Sequence, residues 1–156
     1  MQDKETRMGW LIQCNDAGCK AQTWAENIVD LIDNHTDQDG WFVCSHCKKL
    51  GFIEKSFSLQ EPGETWEPFL RGALRLGSAD DTYQPFVFMV SYEPNGQAND
   101  IWFSYYKDLR NTGGRLKLGY GPGGPPVLGT EQILSLLKRL TLLGLIEKDR
   151  IKELIA

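Results

Sequence analysis

The chain has 156 residues, of which 41% are hydrophobic and 11% are aromatic, and its formal net charge is -4. This length fits one domain, or a small metal-binding module packed against a second small core. The composition excludes an intrinsically disordered chain, and the acidic balance argues against a general nucleic-acid-binding protein, because such proteins are usually basic.

The first residues, MQDKETR, contain no apolar segment, so the sequence predicts no secretory signal and a cytoplasmic location. No membrane partner is expected, because the longest apolar stretch, residues 133–146, contains Lys138 and Arg139 and is too short to span a bilayer. In a reducing compartment, the four cysteines, which form two close pairs, are expected to bind metal rather than to form disulfides.

Short strands and one helix are predicted around the two cysteine pairs. Residues 9–14 form a predicted strand that runs into the first pair, and residues 51–59 form another that follows the second pair. Between the pairs, Trp24, Ile28 and Leu31 recur at nearly helical spacing, which predicts a helix over residues 23–34.

The middle of the chain is predicted to form an antiparallel sheet rich in aromatic residues. Residues 86–92 and 101–106 are rich in aromatic and β-branched side chains and are joined by a short polar loop, so we expect them to pair. Residues 69–76 fit either a strand or a short helix, and a further strand is expected at residues 115–120.

The last part of the chain is predicted to form a helical hairpin after a linker at residues 121–126, which are all glycine and proline. Thr130 is the predicted cap of the first helix, Gly144 marks its end, and the second helix starts near Lys148. The pattern resembles the short helical hairpins at the ends of many bacterial proteins, which implies a role in assembly. Packing against this protein's own sheet is the alternative.

The cysteine spacing predicts one structural metal ion. Four residues separate Cys14 from Cys19, and two separate Cys44 from Cys47. Zinc prefers tetrahedral coordination by thiolates, and two ligands this close in sequence can wrap one side of the ion. Two close pairs, with no other cysteine in the chain, make four unrelated buried cysteines a poor explanation. We therefore expect all four to hold one zinc ion, with Gly18 and Gly51 letting backbone amides turn towards the sulfurs.

Three alternatives concern the chemistry of this site. Iron in a rubredoxin-like centre also uses four thiolates and stays open from the sequence, although the four-residue spacing and the lack of a redox motif favour zinc. A hydrolytic zinc is disfavoured because it needs an open coordination position. His46 is interpreted as a residue that packs or meets solvent. His35 lies on a polar loop, where it is a candidate to replace one cysteine, but we favour an ordinary loop residue that binds no metal.

The two cysteine knuckles, with strands around each, resemble the zinc-ribbon group of folds over residues 8–60. The second half, Cys44-x2-Cys47-x3-Gly51, is typical of that group, whereas the first spacing and the predicted helix between the pairs depart from the simplest ribbons. Zinc ribbons mostly serve as binding or scaffolding modules, so the resemblance implies a structural role for the metal.

The predicted fold is therefore α+β, with a zinc-ribbon-like N-terminal half, an antiparallel aromatic-rich sheet and a C-terminal helical hairpin. The corresponding segments are residues 1–60 for the zinc-binding module, 61–126 for the antiparallel β region and 127–156 for the helical hairpin.

Basic residues are concentrated near the C-terminal end of the predicted sheet. Lys107, Arg110, Arg115 and Lys117 are candidates for contact with an anion or with nucleic-acid phosphates along one edge of a hairpin. The plainer interpretation, which we favour, is an ordinary hairpin with solvated charges.

Two functions fit these observations. The first is a non-enzymatic binding or adaptor module, with a structural zinc ion and another protein as its partner. The second is a small enzyme with its site in residues 61–126 and a purely structural zinc, which a concave pocket lined by Glu64, Asp81 or Arg110 would indicate. No catalytic residue can be named from the sequence.

Overall fold

The fold is described by a computed structural model for residues 9–55, 57–58, 65–94, 96–119 and 126–156. The strands within these residues are β1 (Trp10–Cys14), β2 (Gln22–Ala25), β3 (Gly51–Glu54), β4 (Phe57–Ser58), β5 (Thr65–Trp66), β6 (Phe69–Arg75), β7 (Tyr83–Ser91), β8 (Asp100–Asp108) and β9 (Leu116–Leu118). The helices are α1 (Ile28–Asn34), α2 (Thr130–Leu142) and α3 (Lys148–Ile155), and Arg110–Thr112 forms a short 3-10 turn.

Seven strands form one antiparallel sheet in the order β2-β1-β3-β6-β7-β8-β9, and β4 pairs with β5 as a separate ribbon. The long central strands β7 and β8 pair over eight register positions, from Tyr83 opposite Lys107 to Val90 opposite Asp100. These strands contain the aromatic and β-branched residues that favour a pleated, half-buried backbone. The predicted pairing of these two segments is therefore present within a larger sheet.

Both faces of the sheet are covered. Successive side chains of a strand point to opposite faces, so Phe86 and Phe88 enter one core while Val87 and Met89 enter the other. On the first face α1 contributes Leu31, and on the second α2 contributes Leu136 and Leu140. The unbroken apolar run of β7 thus reflects burial on both sides.

The predicted α+β fold, with a zinc-ribbon-like half, a separate aromatic sheet and a C-terminal helical hairpin, is wrong. The described residues form mostly β structure, and strands β1 and β3, which flank the cysteine loops, belong to the same sheet as the aromatic strands. Ile53 of β3 lies opposite Leu70 of β6, which joins the two regions. The helices are short, and no residue of α3 is buried, so α2 and α3 do not enclose a core of their own.

The predicted helix over residues 23–34 is too long. Residues 22–25 form strand β2, which pairs with β1, and α1 begins only at Ile28. The helix starts there because the Asn27 side chain accepts hydrogen bonds from the amides of Val29 and Asp30, each at 3.0 Å. The periodicity of Trp24 with Ile28 was therefore accidental, since Trp24 is in the strand and 48% exposed.

A bulge in β6 brings the segment before the second cysteine pair against the sheet. The register of β6 on β7 shifts between Leu70 and Gly72, which releases Arg71 from the ladder. The Arg71 carbonyl then accepts a hydrogen bond of 2.9 Å from the amide of Phe42. Gly72 permits this close approach, because an added Cβ would lie 2.3 Å from the carbonyl oxygen of Gly40.

The division of the chain at residues 60 and 126 stays a prediction. The linker proposed for residues 121–126 falls outside the described residues except for its last position. No helix in the described ranges is both long enough and apolar enough to cross a lipid bilayer.

Replacing Gly72 with alanine should lower the free energy of unfolding by about 1–3 kcal/mol, the usual cost of forcing extra atoms into a packed site. The contact at Gly40 is with its backbone, so a change of side-chain rotamer cannot relieve it. Gly129→Ala is the control, because its Cβ would meet nothing closer than 3.7 Å. Urea unfolding measures both variants, and equal losses in the two would contradict the close approach at Gly72.

Candidate metal centre

The four cysteine sulfurs meet at one end of the β1–β3 part of the sheet. Cys14 ends β1, Cys19 lies in the loop to β2, and Cys44 and Cys47 lie in the turn before β3. The two loops are brought together because Cys14 lies opposite Gly51 in the pairing of β1 with β3. All four sulfur atoms lie within 4.8 Å of one another.

The sulfur spacing fits a tetrahedral metal ion. Metal–sulfur bonds of roughly 2.3 Å in a regular tetrahedron place the sulfurs roughly 3.8 Å apart. The Sγ atoms of Cys14 and Cys47 are 3.4 Å apart, and those of Cys19 and Cys44 are 3.8 Å apart. The four cysteines are free thiols, so all four remain available as ligands. The group could therefore hold one metal ion.

A residue with a left-handed backbone conformation directly follows each cysteine pair. Lys20 follows Cys19 with φ 47°, and Lys48 follows Cys47 with φ 63°. No other described non-glycine residue has a positive φ. A left-handed residue at each position reverses the direction of the chain directly after the cysteine pair. The expected role of glycine in these turns is wrong, since the turning residues are lysines.

Backbone amides point at the sulfurs of both pairs. The amide of Asp16 donates to Cys14 Sγ at 3.4 Å. The amides of His46 and Cys47 donate to Cys44. Such hydrogen bonds stabilise negative charge on sulfur, which is the state in which a thiol binds metal. Gly51 serves a different purpose from the expected one, because its lack of a side chain leaves space for Ile12, 2.7 Å from the position of an added Cβ.

The two cysteine loops are also held together by residues that bind no metal. Lys49 forms an ion pair with Asp16, and this hydrogen bond is the main cause of the lowered pKa of Asp16. The hydroxyl groups of Thr23 and Ser45 lie 2.7 Å apart, which joins β2 to the second loop. These contacts preorganise the four sulfurs before any metal binds.

The thiols of Cys14 and Cys44 differ in pKa. Burial raises the pKa of Cys14 to about 12. Burial also acts to raise the pKa of Cys44, but hydrogen bonds from the Cys47 and His46 amides and from neighbouring thiols outweigh it and lower the pKa to about 7. At neutral pH the metal-free group therefore keeps protons that a metal ion must displace, so metal affinity falls as the pH falls.

Arg71, which the sequence did not single out, is a buried cation next to this centre. It is 6% exposed, and its guanidinium donates to Asn15 Oδ1 at 3.2 Å and to the carbonyl of Pro94. Within the described residues it forms no ion pair with a carboxylate, and burial lowers its pKa. Buried charges are normally compensated, and four thiolates around a divalent ion would leave a net negative charge beside Asn15. The sequence signal was an arginine inside an otherwise apolar run.

The two histidines lie outside the sulfur group. His35 places Nε2 at 3.6 Å from Asp30 Oδ2, so its ring is engaged by α1. His46 lies between the two cysteines of the second pair and is exposed. The group of metal-ligating side chains found in the described residues consists of the four cysteines.

The candidate anion-binding residues are brought together only in part. Lys107 and Lys117 lie directly opposite each other in the pairing of β8 with β9. Arg110 instead forms a two-pronged ion pair with Asp108, with hydrogen bonds of 2.9 and 2.6 Å. Arg115 is exposed beyond the turn. Contact of these residues with an anion stays a prediction.

Comparisons of the chain with protein-family models, with curated proteins and with solved structures found no match.

Arg71→Met should weaken metal binding by roughly 10- to 100-fold, the usual effect of removing a group that orients a metal ligand. The reason is that the loop of Cys14 loses the hydrogen bond that fixes Asn15. Competition with a chromophoric chelator measures the affinity. Arg75→Met is the matched control, since Arg75 is on the same strand and pairs with Asp33 and Tyr106 instead. Equal affinities for wild type and Arg71→Met would contradict this role.

Proposed function

We propose that this protein is a non-enzymatic binding or adaptor module of the cytoplasm, in which Cys14, Cys19, Cys44 and Cys47 hold one structural zinc ion. The observation that carries the proposal is that the four sulfur atoms lie within 4.8 Å of one another, with distances of 3.4 and 3.8 Å in two of the pairs. A reducing compartment keeps such thiols available for metal.

Zinc fits this donor set better than the other common cations. Thiolates are soft ligands that select zinc, copper(I) or iron, whereas magnesium and calcium take oxygen ligands. Zinc has no geometric preference from its d-electrons and is bound tetrahedrally in structural sites with four thiolates. Iron bound by four thiolates is the rival, and metal analysis separates the two.

The metal has a structural role in this proposal because four thiolates fill its coordination shell. A catalytic zinc ion keeps one position for water or substrate, and here each position has a cysteine. The ion would hold the loop of Cys14 and Cys19 to the loop of Cys44 and Cys47. It would thereby fasten β1 and β2 to the rest of the sheet.

A small enzyme with its site in residues 61–126 is the second candidate, and one cavity favours it. A cavity of about 210 Å³ is lined by Arg110, Leu116 and Leu118, together with Trp10 and Glu26. It is smaller than the roughly 300–1,000 Å³ of most ligand sites. Arg110 is already bound by Asp108, so the binding module remains the better proposal.

Glu64 and Asp81 are the other two residues expected to line the site of such an enzyme. Glu64 falls outside the described residues, and Asp81 is exposed and does not line this cavity. Neither residue supports a catalytic site at this position.

Wild-type protein purified after expression with zinc should carry about one zinc ion per chain, and Cys44→Ala or Cys47→Ala should carry far less. A structural zinc ion supplies on the order of 10 kcal/mol of apparent binding free energy, so both variants should also melt at a lower temperature. Elemental analysis and thermal unfolding measure these effects.

His46→Ala is the matched control, because this exposed residue lies between the same two cysteines and should leave zinc content unchanged. Bound iron in place of zinc would overturn the choice of metal. A Cys47→Ala variant with full zinc content and the wild-type melting temperature would overturn the site.

A further inference from the structure

Helix α2 carries two apolar stripes, and the sheet covers one of them. Leu136 and Leu140 are buried against the sheet, with 4% and 3% of their surface exposed. Leu134 and Leu137 point elsewhere and are 54% and 38% exposed, and Leu142 continues their stripe. A helix with apolar residues on two faces is expected to be covered on both.

Helix α3 has an apolar face that the described residues cover only in part. No residue of α3 is buried, and Ile155 is 81% exposed. An isolated helix of eight residues is too short to be stable in water, so most of its stability must come from packing of its apolar face. Its sequence therefore specifies an interface that the described part of this chain does not complete.

The exposed stripes of the two helices line one groove. Its volume is about 670 Å³, and its apolar floor is formed by Leu134, Leu137 and Leu142 of α2 with Ile151 and Ile155 of α3. On α2 the lining residues run from Leu134 to Leu142, a length of roughly 12 Å at 1.5 Å per residue. A groove of this length contacts about two turns of a second helix.

The charged residues that line this groove are all basic. Lys138 comes from α2, and Lys148 and Lys152 come from α3, whereas no aspartate or glutamate is among the described residues that line it. Lys152 reaches an exposed Asp149 on its own helix, and no ion pair of Lys138 or Lys148 is found within the described residues. The groove thus combines an apolar floor with a positive rim, in a chain whose net charge is -4.

We propose that this groove docks an amphipathic helix of another protein, one with acidic residues beside its apolar stripe. Helix-in-groove binding lays an apolar face into a hydrophobic groove, and the flanking charges select the partner. This inference deepens the binding role proposed above and rests on it, although the groove contains none of the four cysteines.

Two other occupants fit the groove less well. A second copy of this chain paired face to face would bring the same three lysines together, and like charges at an interface are repulsive. A bilayer surface is flat, so it would contact the outermost residues and leave the floor of the groove unfilled.

The test uses zinc-loaded full-length protein and two synthetic helical peptides of 14 residues with the same leucine stripe. One peptide carries glutamates beside the stripe, and the other carries lysines. Fluorescence anisotropy at low salt should show binding of the acidic peptide at least roughly tenfold tighter than that of the basic peptide. Leu137→Glu should weaken the acidic peptide by roughly tenfold or more, since it places a charge on the apolar floor.

Leu154→Glu is the matched control, because Leu154 is on α3 and 85% exposed but does not line the groove. It should bind the acidic peptide like wild type. Equal binding of the two peptides, no binding of either, or an equal loss in Leu137→Glu and Leu154→Glu would overturn the inference. Self-association that Leu137→Glu abolishes, or binding to anionic vesicles without binding of the acidic peptide, would overturn it as well.

Zinc content tests the proposed metal centre independently of the groove. Leu137→Glu should retain about one zinc ion per chain, as measured by elemental analysis. Protein that carries zinc but does not distinguish the peptides refutes the groove and leaves the metal centre in place. Protein that binds the acidic peptide through the groove but carries no zinc refutes the metal centre and leaves the groove in place.

Discussion

Four thiols are held within 4.8 Å of one another where two loops meet at the end of β1 and before β3. Thiolates at this distance repel one another, so full deprotonation requires a cation among them. The strands around the thiols are short, and β1 and β3 share two register positions, as do β3 and β6. Few backbone hydrogen bonds therefore join this end of the sheet to the rest. A metal ion would supply the missing cross-link between β1, β2 and the remainder of the molecule.

The second cysteine loop is anchored in the main core. Phe42, two residues before Cys44, is fully buried against Phe88 of the central strand. Its amide donates to the carbonyl of Arg71, and the Arg71 side chain reaches Asn15 in the first loop. One bulge in β6 thus contacts both cysteine loops. Metal binding and the packing of the central sheet should be coupled for this reason, even though the metal lies at one end.

The local features of the chain could be predicted from the sequence, because they depend on neighbouring residues. The spacing of the four cysteines pointed to one site, and the aromatic runs of β7 and β8 pointed to paired strands. The pairing of Ile53 with Leu70 could not be predicted, since it depends on which distant strands share a core. That omission led to the wrong fold class.

Other features were missed for local physical reasons. The left-handed turns at Lys20 and Lys48 fall on residues that have no particular preference for that backbone, so no glycine marks them. Asn27 is a good helix cap, but the apolar spacing across it suggested a longer helix. The buried position of Arg71 follows from a bulge, which a single sequence does not reveal.

If all four cysteines bind the same metal ion, X-ray absorption at the zinc edge will show it in the first coordination shell. We expect four sulfur scatterers at roughly 2.3 Å and no nitrogen or oxygen in that shell. A shell that mixes sulfur with nitrogen or oxygen, as would follow if a histidine or water took the place of a cysteine, would contradict it.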